Sequence, residues 1–125
     1  MTRKLARSFA CPIELTLYVL AGKWTTLILC YLEQGPLRYK DLRRLIPRLS
    51  DKMLTARLAD LCARGLVEKK SIAGHSREVY VLAPSGKTLC VTFAELYRWG
   101  EMHAAMETGW SRFGSSTYGQ ARSSA

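Results

Sequence analysis

Apolar positions recur along most of this chain at helical spacing, and proline and glycine cut them into segments. Pro12 is placed to open a helix, since the amide it lacks has no partner there in any case. That helix is predicted to run to about Ala21 on Ile13, Leu17 and Leu20, with Gly22 breaking it. A second runs from Trp24 to about Gln34, carries Leu27, Ile28, Tyr31 and Leu32 inward, and stops at Gly35-Pro36. After a short extended link at Leu37-Arg38, a third and shorter helix spans Tyr39 to Ile46 and ends at Pro47. Its apolar members are Leu42, Leu45 and Ile46.

The stretch from Ser50 to Leu66 is the best-marked helix. Ser50 is an N-cap by type, and Gly65 sits where helices end in a left-handed residue. Leu54, Leu58 and Leu61, with Met53 on the flank, form one apolar stripe. The period then drops to two. Leu66 to Ile72 and Glu78 to Leu82 alternate as strands of a hairpin, with Ala73-Gly74-His75-Ser76 at the tip. Pro84-Ser85-Gly86 punctuates again, and a long helix is expected from about Ser85 to Met106.

The order of elements predicts a mainly α protein with a small β-hairpin, an α+β winged helix-turn-helix with a long terminal dimerisation helix. Residues 1–10 read as a basic arm, 11–108 as the winged-helix DNA-binding and dimerisation domain, and 109–125 as a Gly/Ser-rich unstructured tail. The final helix is apolar on more than one face. Phe93, Leu96, Tyr97, Trp99, Met102 and Met106 are too many for a helix with its back in water, so a second copy of the chain is expected to cover part of them.

Charge sharpens the picture. The 125 residues carry 19 Lys and Arg against 10 Asp and Glu, a formal charge of +9. The excess is uneven. Arg38, Lys40, Arg43, Arg44, Arg48, Lys52 and Arg57 cluster around the Ser50 helix against Asp41 and Asp51, while the chain from Ser71 onward is nearly balanced. A basic concentration of this kind points to a polyanion, and to nucleic acid first.

The face of the Ser50 helix opposite its leucines is short and polar, as a helix entering a DNA major groove needs. Ser50, Lys52, Thr55, Ala56 and Arg57 are the candidate base readers. Lys23, Arg38, Lys40, Arg43, Arg44 and Arg48, with Lys69, Lys70, His75 and Arg77 on the hairpin, are the candidate phosphate anchors.

Other chemistries fare poorly. Cys11, Cys30, Cys62 and Cys90 contain no C-x-x-C pair, and His75 and His103 complete no metal-ligand spacing, so no metal and no cofactor are expected. Neither a phosphate-cradling glycine loop nor a nucleophile–base pair is present, which argues against an enzyme and gives no catalytic residue. Three of the cysteines fall on apolar helical faces, as small hydrophobes of a reducing cytoplasm do. The basic start followed by an apolar run mimics a signal peptide, but Pro12 and Glu14 interrupt it, and no segment has the length to span a bilayer. A cytoplasmic protein, associated with the nucleoid through DNA, is expected. A winged-helix module that binds proteins in place of specific DNA is the alternative; Lys52, Thr55, Arg57 and the surrounding cations argue against it.

Several segments carry a resemblance. C-P-I-E-L-T-L from Cys11, G-K-W-T from Gly22, L-R-Y-K-D-L-R-R-L-I-P from Leu37, L-S-D-K-M-L-T-A-R-L from Leu49, G-L-V-E-K from Gly65 and V-Y-V-L-A-P-S-G from Val79 resemble the HxlR-type regulators, relatives of the MarR type. The likeness covers about Cys11 to His103. It implies a bacterial transcriptional regulator that binds a palindromic or near-palindromic operator in double-stranded DNA as a homodimer. The first and last helices would supply the dimer contacts, which adds Ile13 and Leu17 to the interface. It also implies that Cys11, where some members carry a redox-sensing cysteine, is a candidate sensor; thiolates are favoured at helix starts near cations, and Lys4 and Arg7 lie close in sequence. A small-molecule effector is a further candidate partner, with Tyr18, Tyr97, Trp99 and Met102 as lining, although such residues more often fill a core or an interface. Two departures are visible. Gly74-His75-Ser76 stands where the family often has a proline-rich wing tip, and Ala83 stands where threonine is usual.

Overall fold

A computed structural model describes residues 8–22, 24–71, 73, 74 and 77–106. The expectations for the arm up to Arg7, for Lys23, Ile72, His75 and Ser76, and for the tail from Glu107 lie outside those residues. The elements are α1 (Pro12–Leu20), α2 (Thr25–Glu33), α3 (Tyr39–Leu45), α4 (Asp51–Ala63), β1 (Val67–Lys70), β2 (Val79–Leu82), α5 (Pro84–Lys87) and α6 (Cys90–Met106). This is the winged helix-turn-helix order. The chain divides into two compact units, residues 1–87 and 88–125, with the wing and the helix-turn-helix in the first.

The core of the first unit is built around α2. Ile28, Leu29, Cys30, Tyr31 and Leu32 are all buried, so this helix is enclosed on most of its circumference. It begins one residue later than its apolar period suggests. Trp24 adopts φ +81° and forms a left-handed cap, a conformation costing an L-residue about 1–2 kcal/mol. The turn is closed by Thr25, whose hydroxyl donates to Ala21 O at 3.3 Å. In α1, by contrast, Leu20 is the buried residue, and Ile13 and Leu17 are exposed at 70% and 63%.

Helices α3 and α4 have well-defined starts. At α3 the Asp41 carboxylate accepts from the Arg38 backbone N–H at 2.9 Å, and from Arg38 Nε and Nη2 at 3.3 Å each. The Arg38 side chain and then its amide hold the Asp41 carboxyl below its usual value near 3.8. Since the folded form has the lower value, the stability it contributes is present above that usual value and is lost as pH falls through the folded one. Asp41→Asn is therefore expected to cost about 1 kcal/mol at pH 7, the usual worth of a helix cap, and progressively less below about pH 4. Urea unfolding of both proteins across that range checks the convergence.

At α4 the Ser50 hydroxyl accepts from Met53 N–H at 3.2 Å. Leu54, Leu58 and Leu61 are at most 2% exposed, as their spacing demands. Leu42 joins them in the core, while Leu45 is only half-buried; Ile46 and Leu49 bury the turn between the helices instead. Gly65, at φ +76°, ends α4 in a Schellman arrangement. Its N–H donates to Cys62 O and that of Leu66 donates to Leu61 O, both at 3.0 Å.

The hairpin is antiparallel, with Val67 opposite Leu82 and Lys70 opposite Val79. Leu66 is spent on ending α4 rather than on starting the strand. A third edge is present that the alternation does not reveal. Leu37 pairs with Tyr80, its N–H donating to Tyr80 O at 3.1 Å and the Tyr80 N–H donating to Leu37 O at 2.7 Å. The link before α3 is thus part of the wing's sheet.

The long terminal helix expected from Ser85 is two helices. The short α5 is followed by a turn at Thr88 and Leu89 before α6 begins. Gly86 is buried directly against the Leu66 carbonyl, so the first turn is placed by the wing, and a glycine with a β-branched threonine two residues on gives helix propagation little support. In α6, Phe93 and Ala104 are buried, whereas Val91, Leu96, Trp99, Met102 and Met106 are 50–80% exposed. Among the described residues no single helix is long and apolar enough to cross a membrane.

Candidate nucleic-acid interface

Helix α4 turns its leucines inward and leaves Ser50, Asp51, Lys52, Thr55, Ala56 and Ala59 exposed. Four of the five expected readers, Ser50, Lys52, Thr55 and Ala56, therefore lie on one open face. Arg57 does not join them. It stands three residues after Leu54 and one before Leu58, on the flank of the buried stripe. A Cβ added at Gly22 would meet its Cζ at 3.1 Å, so the guanidinium lies against the turn between α1 and α2. Its Nε is buried with no hydrogen-bond partner among the described residues. The turn's missing side chain leaves the space that the Arg57 guanidinium occupies, away from the exposed face.

A compact polar network braces the start of α4. Tyr39 Oη donates to Asp51 Oδ1 at 2.9 Å and lies 3.3 Å from Asp51 O. The same oxygen lies 3.3 Å from Thr55 Oγ1. Arg43 closes the other side, with Nε 2.8 Å from Asp51 Oδ1 and Nη1 donating to Leu49 O. Tyr39 and Asp51 are absent from the residues expected on sequence grounds. They stand twelve apart, on different helices, and no local spacing relates them.

Between α3 and the hairpin lies an open groove of about 930 Å³. Arg38, Lys40, Arg43, Lys69 and Arg77 line it with Tyr39, Ser71, Tyr80 and a single acid, Glu78. Five expected anchors thus come together from two elements. Lys69 lies over the Tyr80 ring, 5.8 Å from its centroid, which holds the ammonium at the groove wall. Lys70 turns instead toward Glu68, at 3.7 Å on the same strand. Arg44 is 70% exposed and at 3.9 Å from Asp41, and Arg48 is exposed beyond α3. These ion pairs are surface pairs of small energetic worth, and a phosphate can replace them.

The thiols differ in setting. Cys30 is buried, and burial pushes the Cys62 thiol up, an effect that Lys69 only partly offsets. Cys11 is exposed at the amino end of α1, in extended conformation, and its side chain does not cap the helix. Among the described residues no group of three or more His, Cys, Asp or Glu side chains is gathered in a metal-holding arrangement. Of the residues considered for an effector, Tyr18 is half-buried and packs its ring 5.4 Å from Phe9 and 5.3 Å from the Arg64 guanidinium. Trp99 stacks on His103 at 4.7 Å. Phe93, expected at the dimer surface, is 2% exposed and belongs to the buried set; Tyr97 is half-buried.

Helix α4 with its braced start, beside a cationic groove and a two-stranded wing, defines a winged helix-turn-helix domain. Residues 19–108 match the model of the HxlR-like helix-turn-helix family, and the chain belongs to that family. It is 37% identical over 102 residues to the HTH-type transcriptional regulator YkvN of Bacillus subtilis, covering 81% of this chain and 86% of YkvN. Two solved structures share the fold. A protein of Porphyromonas gingivalis assigned to the MarR family of transcriptional regulators is 35% identical, with a TM-score of 0.67 over 79% of this chain and 97% of that one. Quinone-bound YodB of B. subtilis is 32% identical, with a TM-score of 0.64 over 74% of this chain and 99% of YodB. These relatives are regulators and not enzymes, and the present chain is a transcriptional regulator of the helix-turn-helix type.

Proposed function

We propose that the protein binds a specific, two-fold symmetric site in double-stranded DNA as a homodimer. Helix α4 enters the major groove, and the sugar-phosphate backbone lies along the groove between α3 and the wing. The observation that carries this reading is an exposed face of α4, formed by Lys52, Thr55 and Ala56, with a five-cation groove beside it. Lys52, Thr55 and Ala56 read bases, while Lys40, Arg43, Lys69 and Arg77 hold phosphates. The exposed apolar residues of α1 and of α6 are what a second copy covers. Two reading helices in such a dimer engage half-sites one DNA turn apart, about 34–36 Å, or a multiple of it.

Selection of bound fragments from random DNA tests the reading, since a palindromic or near-palindromic consensus should emerge. Affinity for that consensus is expected to fall with a log–log salt slope of about −0.9 per phosphate neutralised. Lys40→Ala should reduce the slope by about one and weaken all sequences alike, whereas Lys52→Ala should relax preference at one position. Binding that ignores sequence, or that is insensitive to salt, would exclude the proposal.

Cys11 is the candidate signal input. It is exposed and leaves its helix end uncapped, and a structural relative, YodB, is known with a quinone bound. Addition of an electrophile there would place a bulky group at the start of α1, beside the exposed Ile13, and shift the pairing of the two copies. Cys11 should be the first thiol alkylated by a soft electrophile, with operator affinity falling in step with its modification, and Cys11→Ser should abolish the response. Equal alkylation of Cys11 and Cys90, or unchanged affinity after full modification, would remove the role.

A further inference from the structure

We infer that Tyr39 fixes the hydroxyl proton of Thr55, so that the reading helix offers Thr55 to DNA as a hydrogen-bond acceptor only. The inference rests on the proposal that α4 reads bases, and goes beyond it to the polarity of one contact.

Three oxygens, from Asp51, Tyr39 and Thr55, share two hydroxyl protons. Both Asp51 atoms near Tyr39 Oη are acceptors: Oδ1, at 2.9 Å, belongs to a carboxylate ion-paired with Arg43, and O, at 3.3 Å, is a backbone carbonyl. Whichever of the two is used, the single phenolic proton is directed to Asp51. Toward Thr55 the Tyr39 oxygen therefore has only lone pairs. For the 3.3 Å approach to be a hydrogen bond, Thr55 must donate. Its one proton then points inward, and lone pairs of Oγ1 face outward from an exposed position on α4.

A free serine or threonine hydroxyl serves either base type, because its proton rotates to suit. An oriented one does not. The Oγ1 of Thr55 accepts from the exocyclic amino group of adenine or cytosine, and it is repelled by the N7 and O6 of guanine and by the O4 of thymine. Tyr39 is in this account a positioning residue that decides specificity without reaching the DNA. Asp51 and Arg43 act one step further back, by fixing where the Tyr39 proton goes.

The test uses the full-length protein and the consensus found by random-DNA selection. Comparing wild type with Thr55→Val on single base-pair substitutions locates the pair that Thr55 contacts. At that pair the adenine is replaced by purine, or the cytosine by 2-pyrimidinone, each lacking the major-groove amino group; 7-deazaadenine, or 7-deazaguanine opposite the cytosine, which removes N7 and keeps the amino group of the pair, is the control. Amino deletion is expected to weaken wild-type binding about five- to tenfold, the low end for a base-edge contact, and to leave Thr55→Val unaffected. N7 deletion should change neither. Tyr39→Phe should lose most discrimination at this one pair while its preferences at the other pairs of the consensus stay as in wild type, because the freed hydroxyl can then donate as well as accept.

Sensitivity to N7 deletion with indifference to amino deletion would overturn the inference. Undiminished discrimination in Tyr39→Phe would do the same. A clear consensus with no pair dependent on Thr55 also overturns it while leaving the DNA-binding proposal standing. Failure of wild type to select any consensus removes both.

Discussion

In the homodimer proposed above, Trp99→Glu is expected to leave monomers in dilute solution and to weaken binding to a two-fold symmetric site by about 10²- to 10⁴-fold. Trp99 is 64% exposed in the single chain and is flanked on α6 by Leu96 and Met102, at 50% and 65%. One charge at the centre of such an apolar face cannot be paired when a second copy closes over it, and burying it unpaired is prohibitive. The substitution leaves the isolated fold nearly untouched, since exposed positions usually tolerate change within about 0.5 kcal/mol. A dimer on a palindrome engages its second half-site as an intramolecular event, and this avidity is what the monomer loses. Sedimentation and fluorescence anisotropy on a full and a single half-site separate the effects. Half-site affinity should be unchanged while full-site affinity drops. A variant that remains dimeric, with full-site affinity intact, would show that α6 is not the contact.

The second large effect is on stability. Gly86→Ala is expected to destabilise the protein by about 3 kcal/mol, the upper part of the range for overpacking. Helix propensity alone predicts the opposite sign, a gain near 1 kcal/mol for replacing glycine inside a helical turn. Local space decides between them. A Cβ at Gly86 would stand 2.2 Å from Leu66 O and 3.3 Å from Leu82 Cδ2. The Leu66 carbonyl cannot yield easily. It accepts from Ala83 N–H at 2.9 Å, and the Leu66 N–H is committed to the end of α4. Relief requires moving either the wing or α4. Thermal unfolding should shift down by roughly 10 °C or more. A melting temperature equal to or above that of the parent protein would refute the packing argument.

Those two cases show why the elements of this molecule were easier to read in the sequence than the bonds between them. Leucine spacing, Ser50 and Gly65 mark α4 because each acts within its own turn, and the structure places Leu54, Leu58 and Leu61 in the core as the spacing requires. The cationic character of the α3–wing groove is legible as composition, since Lys40, Arg43, Lys69 and Arg77 are all near α4 in sequence. What escaped is non-local. Trp24 carries a left-handed backbone that no apolar period encodes. Arg57 follows a space vacated by a glycine thirty-five positions earlier, and Tyr39 meets Thr55 across sixteen. Leu37 reads as a connector because its partner, Tyr80, is more than forty residues away. The break between α5 and α6 belongs to the same class: nothing in residues 84–90 states that Leu66 stands against Gly86.

The Leu37–Tyr80 pairing has a consequence for how such proteins diversify. It rivets the ribbon, one rung short of Lys70 and Val79, to the segment that launches α3, so the anchored part of the wing is fixed independently of its length. Residues inserted between Lys70 and Val79 would extend the ribbon outward without disturbing the angle at which α4 is presented. Reach along the duplex and choice of sequence then become separately adjustable traits, and a lengthened ribbon grafted at that site should broaden the nuclease-protected footprint while the central consensus stays the same.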